Sequence, residues 1–411
     1  MIQLRQKSSL FGALLLGVAL FGIGCKDKEE AKPSGSGKTG ETTSTASRGN
    51  TVTGDTIKIG EYGSLTGDNS TFGISTHRGI QLAIEETNAA GGINGKKLEL
   101  ISEDDNSKAE QAKTVVQKLV SNEKVIAVIG EVASSRSIMA APVCQDAKVP
   151  MVSPSSTNPK VTAIGDYIFR VCFTDDFQAV VAAQFAWDQG YKNVAVFTDV
   201  KSDYSKAFGE LFAKKFKTLG GKVAAEPTYQ SGDVDFKAQL ATIKGATPDA
   251  VLIPGYYTEV GTIARQAREV GLSVPLFGGD GWESDQLIPG AGTALEGCFF
   301  TNHFFSHDMT EPHILSFIAA FQKINPGKQP GALDALGYDA AKVIIEALKR
   351  AKSLDSVALR DAIAETKDYQ GVAGKITLDA NRNARKEAVL FKIVGKEFKI
   401  FKSYRPEQVG L

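Results

Sequence analysis

Val125-Ile126-Ala127-Val128-Ile129-Gly130-Glu131-Val132-Ala133-Ser134-Ser135 is the stretch that decides the fold. Five apolar residues in a row suit a strand covered on both faces, as in a parallel sheet, and not the alternation of a half-solvated strand. Gly130 to Ser135 then leaves the strand and opens a helix.

The same unit recurs on either side. Upstream, Ile57, Ile59 and Tyr62 form a first strand, and Ile80, Ala83, Ile84 and Thr87 stripe a helix that Gly91-Gly92 terminates. Lys97 to Ser102 alternates as a strand, followed by a helix striped by Ala112, Val115, Val116 and Leu119. Downstream the pattern restarts. Asn193 to Phe197 is a buried strand, Phe208, Leu211, Phe212 and Leu219 mark a helix that Gly220-Gly221 stops, and strands at Ala250 to Ile253 and Val274 to Phe277 flank a helix carrying Val260, Ile263, Ala264 and Ala267. Successive βα units imply doubly wound parallel sheets with right-handed crossovers, and the restart implies two similar α/β lobes. After Phe299-Phe300 come helices at Ile314 to Phe321 and Ala335 to Leu348, placed to complete the first lobe. Gly374 to Thr377 follows, and the strands Ala388 to Val394 and Phe398 to Phe401 are placed to complete the second.

A chain of 411 residues with 42% hydrophobic, 23% charged and 8% aromatic residues holds two or three domains and is neither disordered nor fibrous. Lysine plus arginine and aspartate plus glutamate both number 47, so no overall field favours nucleic acid. Residues 1–24 read as a signal peptide: Arg5 and Lys7 precede an apolar run from Leu10 to Ile23 that is too short to span a membrane. Gly22-Ile23-Gly24-Cys25 resembles a bacterial lipobox, with Gly22 where that motif usually has leucine, so Cys25 is the expected lipid anchor. Residues 25–54 are polar and lack aromatics, as a flexible tether does. Gly35-Ser36-Gly37-Lys38-Thr39 within it is not a phosphate loop, because Lys32 stands where that motif needs glycine and no strand precedes it. Cys144, Cys172 and Cys298 are widely spaced and read as buried thiols, although the sequence leaves a pairing open.

In open parallel sheets ligands bind beyond the carboxyl ends of the strands, where helix N-termini offer free N–H groups. The loops at those ends supply Gly63 to Gly67 with Phe72 beyond, Gly130 to Ser135, and Ser153 to Thr157. Their hydroxyls and amides suit a carboxylate. Serine and threonine there also cap helices, and the residues alone leave the two readings open. In the second lobe the corresponding ends carry Tyr204, Tyr256-Tyr257 and Gly279-Asp280-Gly281-Trp282. Asp280 reads either as an approachable carboxylate or as a turn former.

The ordered series Gly63-Ser64-Leu65-Thr66-Gly67, Gly91-Gly92-Ile93-Asn94-Gly95, Asp104-Asp105, Ser134-Ser135, Ser153 to Thr157, Phe169-Arg170, Asp203-Tyr204, Gly255-Tyr256 and Gly279 to Trp282 resembles the leucine/isoleucine/valine-binding proteins that feed ABC importers, from about Thr56 to the C-terminus. The resemblance implies a type I periplasmic binding fold, with residues 55–173 plus 304–376 as lobe 1, residues 174–303 plus 377–411 as lobe 2, and three crossover strands between them. It also implies that one branched-chain or other aliphatic amino acid is held as the lobes close about a hinge. Ser134, Ser155 and Thr157 would take its carboxylate and Asp280 its ammonium, while Phe72, Tyr204, Tyr256 and Trp282 would surround it. Some members carry a disulfide at positions matching Ser107 and Ala133, which this chain lacks.

The implied protein is an exported envelope lipoprotein, a monomer that serves an inner-membrane ABC permease, binds no nucleic acid and is not an enzyme. A lipid-tethered sensor presenting an amino acid or small organic acid to a signalling partner is the alternative. No cofactor or metal is expected. His303 and His307 have helical metal-ligand spacing, but they lie where a strand is expected, without a carboxylate at a zinc-ligand offset.

Overall fold

The computed structural model describes residues 49–304 and 309–410. The expected signal peptide, Cys25, His307 and all but the end of the tether lie outside the described residues. Among the described residues no helix is long and apolar enough to cross a membrane.

The first sheet has five parallel strands in the spatial order Lys97–Asp104, Thr56–Gly63, Ala127–Ile129, Met151–Ser153 and Ile168–Arg170. Its centre is the run that the sequence marked. Val125 to Ile129 are each at most 1% exposed, and burying each of the four Val and Ile side chains contributes about 1.5–3 kcal/mol. The ladder itself covers only Ala127–Ile129, because Val125 and Ile126 enter from the preceding turn.

The second sheet has the order Glu397–Tyr404, Ala388–Val394, Phe299–Asn302, Leu276–Gly278, Ala250–Leu252, Asn193–Val196 and Lys222–Val223. It is parallel except at one end. There Ala388–Val394 runs antiparallel to both Phe299–Asn302 and Glu397–Tyr404, because a tight Gly395 turn joins the last two strands and leaves no length for a crossover helix.

The chain passes between the two sheet systems at Val171 to Thr174, after Asn302, and between Ile376 and Ala388. The middle passage leads to the helices Pro312–Ile324 and Ala332–Arg350. The second of these packs along Ser70–Ala89, where Arg78 pairs with Asp334 at 2.8 Å and Tyr338 donates to Glu86 at 2.7 Å. Gly79 and Gly337 allow this contact, since a Cβ on either would meet backbone of the opposite helix at 1.9 Å and 2.3 Å respectively. Cys144, Cys172 and Cys298 are free and buried. Burial pushes the Cys172 thiol up to about 12, so it is an inert apolar residue at neutral pH.

Candidate ligand-binding site

The carboxyl ends of the two sheets face one another across a narrow cavity of about 10 Å³, little more than the room for one water. Phe72, Val132, Ser134, Ser155, Thr157 and Leu333 line it from the elements of the first sheet, and Tyr204, Tyr256, Asp280 and Gly281 from those of the second. Seven of the eight candidate residues therefore meet in one place. Trp282 does not. It is fully buried behind the loop, where its indole N–H donates to the Ile253 carbonyl at 2.9 Å and its ring stacks on Phe300. The turn Asp280–Trp282 is a single turn of 3₁₀ helix, so residues two apart in it face different ways.

On the first side, the helix Ser134–Ala147 begins at the cavity. Its N-cap residue is Ala133, which provides no side-chain cap, so the first amides keep their donors and their positive partial charge for a ligand. Ser134 lines the cavity and its hydroxyl accepts from the Asn158 amide at 3.2 Å. Ser155 and Thr157 come from the loop after Met151–Ser153, which Ser156 pins by donating to the Glu131 carbonyl at 2.7 Å. Behind this wall Arg136 and Glu131 form a buried ion pair at 3.2 Å.

The other side is acidic and aromatic. The backbone amide of Asp280 donates to Gln178 Oε1 at 2.9 Å, and Thr301 donates to the same oxygen at 2.6 Å. Asp280 Oδ2 is 3.0 Å from His303 Nε2, while Asp280 Oδ1 is buried with no hydrogen-bond partner. Such an oxygen costs about 1–3 kcal/mol or more unless a donor reaches it. Asp175 lies close by; burial pushes its carboxyl well above the usual range and the charge of Asp280 adds to the effect.

Glycine is required on both sides of Asp280. A Cβ on Gly279 would lie 2.3 Å from Tyr204 Oη, and one on Gly281 would lie 2.8 Å from the Gly255 carbonyl oxygen. Tyr204 and Tyr256 stack in parallel at 5.3 Å, and Phe72 meets Tyr256 edge-on at 5.4 Å. The cavity thus has a positive helix end, a carboxylate and an apolar wall between them.

Five residues of this arrangement escaped the sequence reading. Leu333 and Val132 carried no signal beyond apolar patterning. Asp175 and Gln178 sit on the helix Asp175–Asp188, buried on nearly every side, so no polar stripe marked them. His303 stood out in the sequence only as half of a metal spacing; here it pairs with Asp280. No cluster of metal-binding side chains occurs among the described residues.

The chain belongs to the periplasmic binding protein family, whose pattern, described as Periplasmic binding protein, matches residues 56–396. Its fold is that of the type I periplasmic binding proteins. Among individual relatives, an "Amino acid binding protein" of Pseudomonas aeruginosa is 37% identical over 238 residues, which are 57% of this chain and 63% of that one, less than two thirds of its length. The "Leucine-, isoleucine-, valine-, threonine-, and alanine-binding protein" of the same organism is 34% identical over 314 residues, covering 75% of this chain and 82% of that one. Among solved structures, the leucine binding protein LivK of Thermotoga maritima superimposes with a TM-score of 0.83 at 39% identity, over 85% of this chain and 99% of that one. LivJ of Streptococcus pneumoniae, in complex with isoleucine, gives 0.80 at 33% identity over 85% and 100%. These relatives agree with the resemblance read from the sequence.

Proposed function

We propose that this protein binds one aliphatic α-amino acid between its two halves and delivers it to an ABC permease. Ser134, Ser155, Thr157 and the start of the helix Ser134–Ala147 receive the carboxylate, and Asp280 receives the ammonium. Phe72, Val132, Leu333, Tyr204 and Tyr256 bound the side chain. The observation that carries this reading is that Asp280, whose buried Oδ1 has no partner, lines a cavity whose opposite wall is an uncapped helix start. A zwitterion supplies both missing partners at once, and closure strengthens both contacts by removing water. Relatives described as binding leucine, isoleucine or valine support the choice of side chain. Residues 55–173 with 304–376 and residues 174–303 with 377–411 act as the two bodies of a hinge that shuts on its ligand. An export signal at residues 1–24 and lipidation of Cys25 tether this monomer to the envelope.

Calorimetry with leucine, 4-methylpentanoate and isopentylamine tests the proposal. Leucine is expected to bind and each analogue, lacking one charge, to bind at least about tenfold more weakly, the worth of one charge-assisted hydrogen bond. Equal affinity for leucine and either analogue would overturn it.

A further inference from the structure

His303 does not line the cavity; it stands directly behind Asp280. It follows the strand Phe299–Asn302, where the chain leaves the second sheet, and its own amide donates to Asn302 Oδ1 at 2.8 Å. Its side chain is 1% exposed. The ring stacks on Phe173 with centroids 3.7 Å apart and planes 25° apart, and Phe173 belongs to the passage Val171 to Thr174. The imidazole is thus clamped between two of the three places where the chain crosses, with one nitrogen on Asp280 Oδ2 and the other, Nδ1, buried without a partner.

We infer that His303 is a positioning residue for ligand recognition: its Nε2–H ties down Asp280 Oδ2 and leaves Oδ1 turned to the cavity. The inference rests on Asp280 being the acceptor of the ligand's ammonium. A neutral donor suits this task, because an arginine or lysine in its place would cancel the charge that the ammonium needs, whereas an imidazole orients the carboxylate and leaves its charge intact. The charged groups that bear on the ring are Asp280 and, from the passage before Ala388–Val394, the buried Lys386. Burial lowers the affinity of the ring for a second proton, although Asp280 opposes this. The tautomer follows from the contacts: hydrogen on Nε2, bare lone pair on Nδ1.

Two measurements test the inference. In the ¹⁵N-histidine-labelled protein, which has four histidines, the His303 signals, assigned by their loss in His303→Phe, are expected to report the neutral Nε2–H tautomer at pH 7, with and without leucine. An imidazolium or an Nδ1–H tautomer overturns the proposal on unaltered protein, whatever the variant does. Calorimetry supplies the second test. His303→Phe keeps a ring against Phe173 and is expected to weaken leucine binding about tenfold, the worth of one hydrogen bond to a charged group. In an Asp280→Asn background the same change is expected to cost little, since the oriented charge is already gone. Wild-type affinity in Asp280→Asn would refute the amino-acid reading itself. A loss in Asp280→Asn with none in His303→Phe would refute the role of His303 alone.

Discussion

Glu283 Oε1 accepts a hydrogen bond from the Ala332 amide at 2.5 Å, so a carboxylate on the loop after Leu276–Gly278 covers the first turn of the helix Ala332–Arg350. Its other oxygen accepts from Asn302 Nδ2. Beside it, Thr71 and Ser284 join hydroxyls at 3.0 Å, and on the far flank the Asp203 amide donates to Ser135 Oγ at 2.9 Å. The Glu283–Ala332, Thr71–Ser284 and Asp203–Ser135 bonds link elements of the two sheets around the cavity, and opening a hinge there would break them.

A pH dependence follows. Burial raises Glu283 to about 7, whereas an opened cleft would return it to the ordinary value of about 4.3. The groups facing it are Asp280 and Asp285 on its own loop, Asp334 on the capped helix, Arg78 from Ser70–Ala89 and Lys328. Closure then takes up a proton. Its contribution is fully present below the ordinary carboxylate value and is lost as pH rises through about 7. Leucine is therefore expected to bind several-fold more tightly at pH 5.5 than at pH 8, and Glu283→Gln to flatten that difference; calorimetry at the two pH values checks both.

Asp280→Asn removes the charge and puts an amide where the ammonium should lie. The expected loss is about 2–5 kcal/mol, the range for truncating one member of a buried charge pair, which is roughly 30- to 5,000-fold in Kd. Titration of the variant with leucine measures it.

Trp282→Phe separates the fold from the ligand. The Ile253 carbonyl loses its donor, costing about 1–3 kcal/mol of stability, while leucine affinity should change less than about threefold because the indole does not reach the cavity. Thermal melts and calorimetry on one sample report the two effects.

Gly279→Ala tests the close approach beside the acid. The added methyl would sit 2.3 Å from Tyr204 Oη, so the turn or the tyrosine must move, at about 1–3 kcal/mol for overpacking. A fall in both melting temperature and leucine affinity is expected.

Much of this arrangement was legible in the sequence, for definable reasons. Val125 to Ile129, with Gly130 and Ser134 after it, announces a buried strand and a helix start, and that joint lines one side of the cavity. Asp280 was readable because Gly279 and Gly281 set it apart. Trp282 was misplaced because its distance along the chain from Asp280 says nothing of which way a 3₁₀ turn aims it. Leu333 is invisible from sequence for another reason: it reaches the cavity only because Ala332–Arg350 packs on Ser70–Ala89, a contact between elements far apart in the chain. His303 stood out only for a spacing to His307 that the strand expected there argued against, and its contact comes from that strand's end, which brings it behind Asp280.

The most direct test of the central claim is a crystal structure of the mature protein grown with leucine. The carboxylate is expected against Ser134, Ser155 and Thr157 and the ammonium on Asp280 Oδ1, with both halves touching the ligand. An empty cavity at saturating leucine, or a leucine held wholly by one half, would contradict it.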